Sequence, residues 1–276
     1  MSETNWNPTK IIRYVKTVDS SSRTAIVHTD AGRAYLKATN NPEGRHILAC
    51  DWLGTKLAHE FGLQTFDAAI LNITEEDQIP IQGTILAEVG AAFVTRSEVG
   101  IPMGQLRALT GVANTEDVAR LVVFDTWVRN CDRYAPGLRQ GKPRSNADNV
   151  FLSMETGTLV LKAIDHGHIL TCGKPLSSRL AHIEFVQESK LYGLFPFFLG
   201  SVTAEDIDRE AKRLKDIRPQ FWQTILRHLP VEWDVSDTTK QAIDQFLSDR
   251  AQFLIKRIGE IAAQELSSTL QEGETI

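Results

Sequence analysis

Cysteine is scarce in this chain: 276 residues hold only Cys50, Cys131 and Cys172, an odd, widely spaced set without a CxxC pair. That pattern argues against a disulfide framework and against a cysteine-built zinc site, and it points to a reducing compartment. Long hydrophobic runs are missing too. The most apolar stretch, residues 191–199, is too short to span a bilayer and contains Pro196. The first ten residues are polar, with Glu3 and Pro8, and lack the apolar core of a signal peptide. A cytoplasmic chain with no membrane association is expected. Nor is there an excess of positive charge: 30 Lys and Arg against 35 Asp and Glu leave a net charge of −5. Bulk nucleic-acid binding, which relies on a basic surface, is therefore not expected. Internal repeats and low-complexity tracts are absent.

What is present is enough apolar material for a real core, 42% of residues, in a length that suits one large domain or two parts sharing a cleft. The first third is rich in strand signals. Residues 11–18, 25–29 and 34–38 read as a three-stranded meander, with Gly32 in the second turn free to take positive φ. A helix follows over residues 42–60, ended by Gly62. Residues 66–73 and 92–97 read as strands, and 79–87 as a weak extension of the sheet. Gly100, Pro102 and Gly104 form a breaker cluster that marks a boundary.

Beyond it the pattern turns helical. Residues 115–130 form a helix that is apolar nearly all round and hence buried. Residues 149–153 and 159–164 pair as a hairpin. From 178 to 263 helices dominate, clearest at 204–216 and 238–263. The expected architecture is α+β: a sheet-rich N-terminal lobe over residues 1–100, a mainly helical C-terminal lobe over 101–265, and a frayed tail over 266–276.

Chemistry-bearing residues cluster within this frame. Period-two alternation puts Lys37, near the end of the third strand, on the face that carries Tyr35. Asp51 lies on or beside the inward stripe of the next helix, where a carboxylate is costly unless it meets a cation. Lys37 is the nearest candidate, and a strand lysine paired with a carboxylate of the following helix is how the phosphates of ATP are held. Asp132 leaves the end of the buried helix and enters a loop. Asn149 opens the hairpin and Asp165 closes it, so the two ends of the hairpin bring an amide oxygen and a carboxylate together. Those hard oxygens suit Mg²⁺, and Asp132 then lies within reach to orient a substrate hydroxyl. Asn146 competes with Asn149 for the ligand role. His166 and His168, two apart on an extended segment, invite a zinc-hydrolase reading, but no further ligand converges on them.

These segments resemble the HipA-like kinases, and more loosely the phosphatidylinositol 3-/4-kinase-like branch of the protein-kinase superfamily. The likeness runs through the Ser20-Ser21-Ser22-Arg23 loop, the strand ending in Lys37, the helix closed by Phe61-Gly62-Leu63, and the segments 124–134, 149–152 and 163–167. It implies a two-lobed kinase fold, with ATP and Mg²⁺ as cofactors. Ser20, Ser21, Ser22 and Arg23 would form the phosphate loop, open to silencing by autophosphorylation. Lys37 and Asp51 would hold the nucleotide, Asp132 would be catalytic, and Asn149 and Asp165 would bind the metal. A protein Ser or Thr rather than a lipid is the expected acceptor, because the sequence lacks a basic amphipathic helix or membrane anchor to bring a lipid headgroup to the cleft. An antitoxin-like partner is a further expectation of the resemblance. Two features depart from the kinase pattern. Asn149 follows Asp132 by seventeen residues rather than five, across an apparent insertion at 135–148 that carries Arg139, Lys142 and Arg144. The phosphate loop has no glycine. A nucleotide-binding pseudokinase that serves as a partner-binding module is the alternative.

Overall fold

A computed structural model describes residues 6–139 and 142–273. The meander is present as β1 (Ile11–Thr17), β2 (Ala25–Thr29) and β3 (Gly32–Lys37). Gly32 takes φ +107° in the tight turn between β2 and β3. Helix α1 (His46–Glu60) begins four residues later than the sequence suggests, because residues 40–44 form a turn of their own. At its end Gly62 adopts φ +89° and the Leu63 amide reaches back to the Ala58 carbonyl at 2.9 Å, closing the helix as expected.

After α1 come β4 (Ala68–Ile73), a small hairpin of β5 (Pro80–Gln82) and β6 (Ile85–Leu86), and β7 (Gly90–Arg96). Among the described residues β1, β2, β3, β7 and β4 form one antiparallel sheet in that order. The stretch 79–87, expected to extend this sheet, folds instead as the separate β5–β6 hairpin.

The Gly100–Pro102–Gly104 cluster is not a plain breaker. Gly100–Pro102 is a strand, β8, followed by the short helix α2 (Met103–Leu106). Glycine is required at position 100, where a side chain would collide with the Leu152 carbonyl of the neighbouring strand. Helix α3 (Asp117–Val128) is buried as its composition demands. The apparent insertion after it is itself a hairpin, β9 (Tyr134–Arg139) with β10 (Lys142–Ser145), rather than an open loop. The side chains of Arg139 and Lys142 lie outside the described ones.

Next, β11 (Val150–Glu155) and β12 (Thr158–Ala163) pair through a two-residue turn in which Thr156 and Gly157 both have positive φ. Together with β8 they make a three-stranded sheet. The remainder is helical: α4 (Ile183–Val186), α5 (Ala204–Ala211), α6 (Pro219–Arg227) and α7 (Asp237–Gly273), with 3₁₀ turns between them. Helix α7 runs ten residues past the end expected from its pattern.

Two clusters make the core. One face of the five-stranded sheet buries Val27, Ala34, Leu36, Leu71 and Val94 together with Ile79 and Ile81. The larger cluster joins α1, through Leu48, Leu53 and Leu57, to α3, through Leu121, Phe124 and Trp127, and includes Phe93 of the sheet. Helix α1 is thus packed against both the sheet-rich part and the helical part. One expectation is overturned: Cys131 and Cys172 are paired as a disulfide, 41 residues apart with Cα atoms 5.5 Å from each other, and Cys50 is a buried free thiol. Tertiary folding brought together what sequence spacing kept apart. Among the described residues no helix is long and apolar enough to cross a membrane.

Candidate active site

A cavity of about 300 Å³ lies between the free face of the five-stranded sheet and the β11–β12 hairpin. Strand alternation builds its upper wall. Leu36 points into the sheet core while Tyr35 and Lys37 face the cavity, and Phe93 and Thr95 of β7 do the same beside Val94. Phe151, Ile164 and Asp165 line the opposite side.

Lys37 is the hub. Its Nζ donates to Asp51 Oδ2 at 2.8 Å and to Asp165 Oδ1 at 2.9 Å. Burial alone would make the ammonium easier to deprotonate, but the two carboxylates reverse this and hold it charged, well above the usual lysine range. Asp51 is 1% exposed. Burial pushes its pKa up against the pull of Lys37, and its second oxygen accepts the His166 backbone N–H at 2.8 Å. Asp165 differs: burial works against its charge, yet Lys37 outweighs this and holds the carboxyl low. Asp165 sits at φ +55° and keeps 44% of its side chain exposed.

Asn149 and Asp165 meet as the hairpin geometry requires. The Ile164 amide donates to the Asn149 carbonyl at 3.1 Å, and both side chains border the cavity. Asp132 adjoins them. Its Oδ2 accepts from Asn149 Nδ2 at 2.8 Å and from Asn146 Nδ2 at 3.3 Å, and its Oδ1 is paired with Arg144. Lys37, Asp51, Asp132, Asn149 and Asp165 therefore converge. The serine loop does so only in part. Ser20 lines the cavity, flanked by Val18 and Thr24. Ser22 is 3% exposed and turned inward to the Thr24 hydroxyl, while Arg23 pairs with Asp19. Neither Ser21 nor Ser22 nor Arg23 borders the cavity.

His166 and His168 do not form a ligand pair, because their segment is a turn and not a strand. His166 is buried against the Phe124 ring, at 5.5 Å between centroids, and burial depresses its pKa so that it is neutral. His168 instead bonds Glu43 at 2.9 Å.

Three functional neighbours escaped sequence reasoning. Arg133, which precedes the basic insertion in the sequence, is fully buried. It pairs with Asp125 of α3 and donates to the Asn149 carbonyl at 3.1 Å and the Ile164 carbonyl at 2.7 Å. It thereby fastens both ends of the β11–β12 hairpin to the end of α3. Asp125 is buried with it, and burial lifts its pKa to about 6 against the pull of Arg133 and Asn130. The only signal was the position of Arg133 directly after Asp132. Glu43 carried no signal, since its partner is 125 residues away.

The profile of the HipA-like kinases matches residues 10–262, and the chain belongs to that family. Among solved structures it is similar to a Helicobacter pylori proinflammatory kinase, CtkA, with a TM-score of 0.56 at 11% identity, over 95% of this chain and 98% of that one. No curated protein matches by sequence. The family implies phosphotransferase activity and use of ATP; the likeness to CtkA speaks for the fold.

Proposed function

We propose that the chain is a two-lobed, ATP- and Mg²⁺-dependent kinase that transfers the γ-phosphoryl group to the hydroxyl of a protein Ser or Thr. The N-lobe is the sheet-rich part with α1, the C-lobe the remainder, and ATP lies in the cavity between them. The observation that carries this reading is the convergence at one end of that cavity: Lys37 held between Asp51 and Asp165, with Asn149 and Asp132 hydrogen-bonded beside them.

Phosphoryl transfer is catalysed by positioning and electrostatics. Lys37, kept charged by its two carboxylates, binds phosphate oxygens. Asp51 fixes Lys37 and, through the His166 amide, the turn that carries Asp165. Asp132 orients the acceptor hydroxyl and takes its proton as the bond to phosphorus forms. The donor set fits magnesium. Nδ2 of Asn149 is spent on Asp132, which leaves its oxygen free, and Lys37 engages one oxygen of an Asp165 carboxylate that stays partly exposed. Magnesium, when bound there, neutralises charge on the β- and γ-phosphates. Asn149 is preferred to Asn146 because it is 5% exposed and adjoins β11, with its carbonyl held by Arg133. A toxin-type role in the cytoplasm with an antitoxin-like partner belongs to the same reading and rests on family membership alone.

Asp132→Asn and Asp165→Asn should each lower transfer of labelled γ-phosphate by at least ~10²–10⁴-fold, the usual cost of losing a positioned acid–base group, while thermal melts stay close to wild type. Wild-type turnover in both variants would sink the assignment.

A further inference from the structure

One contact across the cleft has no part in holding the nucleotide. It starts in the turn between β3 and α1. Asn41, 5% exposed, organises this turn: its Nδ2 donates to the Ala38 carbonyl at 2.7 Å and the Gly44 carbonyl at 3.1 Å, and its Oδ1 accepts the Glu43 amide at 3.0 Å. Gly44, at φ +88°, lets the chain leave the turn. The result is a Glu43 side chain only 21% exposed that reaches His168 Nε2 at 2.9 Å. His168 and, to a lesser degree, Ser21 of the serine loop hold the Glu43 carboxyl below its ordinary range.

His168 is held from several sides. The Gly173 backbone, at φ +80°, packs so closely on the ring that a Cβ there would stand 3.1 Å from Nδ1. Nδ1 faces the catalytic loop, 3.6 Å from Asp132 Oδ1 and 3.4 Å from Arg144. Asp132 is 13% exposed and has no other link to the sheet-rich part among the described residues. A chain of polar contacts thus runs from the turn between β3 and α1 through Glu43 and His168 to Asp132. The Lys37–Asp51–Asp165 group crosses the same cleft separately, on the nucleotide side.

We propose that His168 and Glu43 are positioning residues for phosphoryl transfer: Glu43 fixes the imidazole, and the imidazole sets Asp132 relative to the lobe that carries the nucleotide. The proposal rests on the kinase reading above. A misplacement of about 1 Å at a reacting group can cost ~10²-fold in rate. Removing either partner therefore acts on turnover rather than on nucleotide affinity, since neither touches the cavity. The two also act as one unit, so their losses do not add.

The test uses the full chain with ATP, Mg²⁺ and casein as a generic Ser/Thr acceptor. His168→Ala and Glu43→Ala should each lower kcat by about 100-fold with the KM for ATP within about threefold of wild type. The double variant should be no slower than either single one, and Glu43→Gln, which keeps an acceptor for Nε2–H, should recover most of the rate. Additive losses, or a KM that rises in step with the loss of kcat, overturn the proposal. A second readout needs no activity. In an Asp132→Asn background, hydrogen exchange should show His168→Ala loosening residues 41–45 and Glu43→Ala loosening 166–173. If each variant loosens only its own segment, the link is refuted whatever the kinetics. If wild type transfers no phosphate while the exchange coupling holds, the contact stands and the kinase reading falls.

Discussion

At the scale of single residues, the site is governed by how buried charges are matched. Arg133 and Asp125 are both fully buried, and removing one partner of such a pair typically costs ~3–5 kcal/mol because the other charge is stranded. Arg133→Met should therefore destabilise the chain by about that amount in a denaturant titration. Adding Asp125→Leu should restore part of the stability, yet phosphoryl transfer should stay low, because the Asn149 and Ile164 carbonyls still lack their donor. Equal recovery of stability and turnover would show Arg133 to be only a folding residue. His168 makes a prediction about pH. Its bond to Glu43 raises its pKa above the ordinary 6.5, against the opposing effect of burial. A base with a raised folded-state pKa stabilises the fold fully below its unfolded value, and that contribution fades as pH climbs through the raised value. Thermal melts should accordingly show wild type losing stability relative to His168→Gln as pH rises from 6.5 upward, and parallel curves would contradict this.

At the scale of elements, α1 is where the sheet, the helical core and the site meet. Its inward face must carry Asp51 toward Lys37 and also pass close to the turn at His166. Gly54 makes the second possible: a Cβ there would collide with the His166 Cβ, which is anchored to the backbone and cannot swing aside, and would crowd the Ile169 Cδ1. Gly54→Ala would gain helix propensity of ~1 kcal/mol on an exposed helix. Here it should instead cost ~1–3 kcal/mol through overpacking and reduce turnover by displacing Asp165. A variant that melts at or above the wild-type temperature with full activity would show that α1 can shift without disturbing the site. The β9–β10 hairpin teaches the opposite lesson. Its Pro, Gly and basic residues suggest an insertion without regular structure, but paired backbone and the Arg144–Asp132 ion pair give it a fixed place beside Asp132.

For the whole molecule, the cleft is the largest consequence of the fold, and ligand binding should stabilise the protein through it. A ligand that binds only the native state adds about 2.7 kcal/mol at a hundredfold excess over its Kd. For a chain of this size that corresponds to a rise of roughly 5–10 °C in Tm. ATP with Mg²⁺ should produce such a rise, and Lys37→Met should abolish most of it, because the phosphate contact is lost while the apolar walls remain. An unchanged Tm in wild type at millimolar ATP would argue that the cavity holds some other ligand.

Much of this was legible along the chain because it depends on local pattern. The meander, the helix closed by Gly62 and the hairpin of residues 149–164 follow from alternation, periodicity and turn preference. Lys37 and Asp51 lie only fourteen residues apart on successive elements, and Asn149 and Asp165 stand at the two ends of one hairpin, so their meeting could be reasoned out without coordinates. Other contacts depend on where distant segments come to rest. Glu43 finds His168, Cys131 finds Cys172, and Arg133 turns inward to two carbonyls instead of outward to solvent. No spacing rule encodes these contacts. They exist because α1 is clamped between the sheet and α3, and that packing fixes which side chains face each other across the cleft.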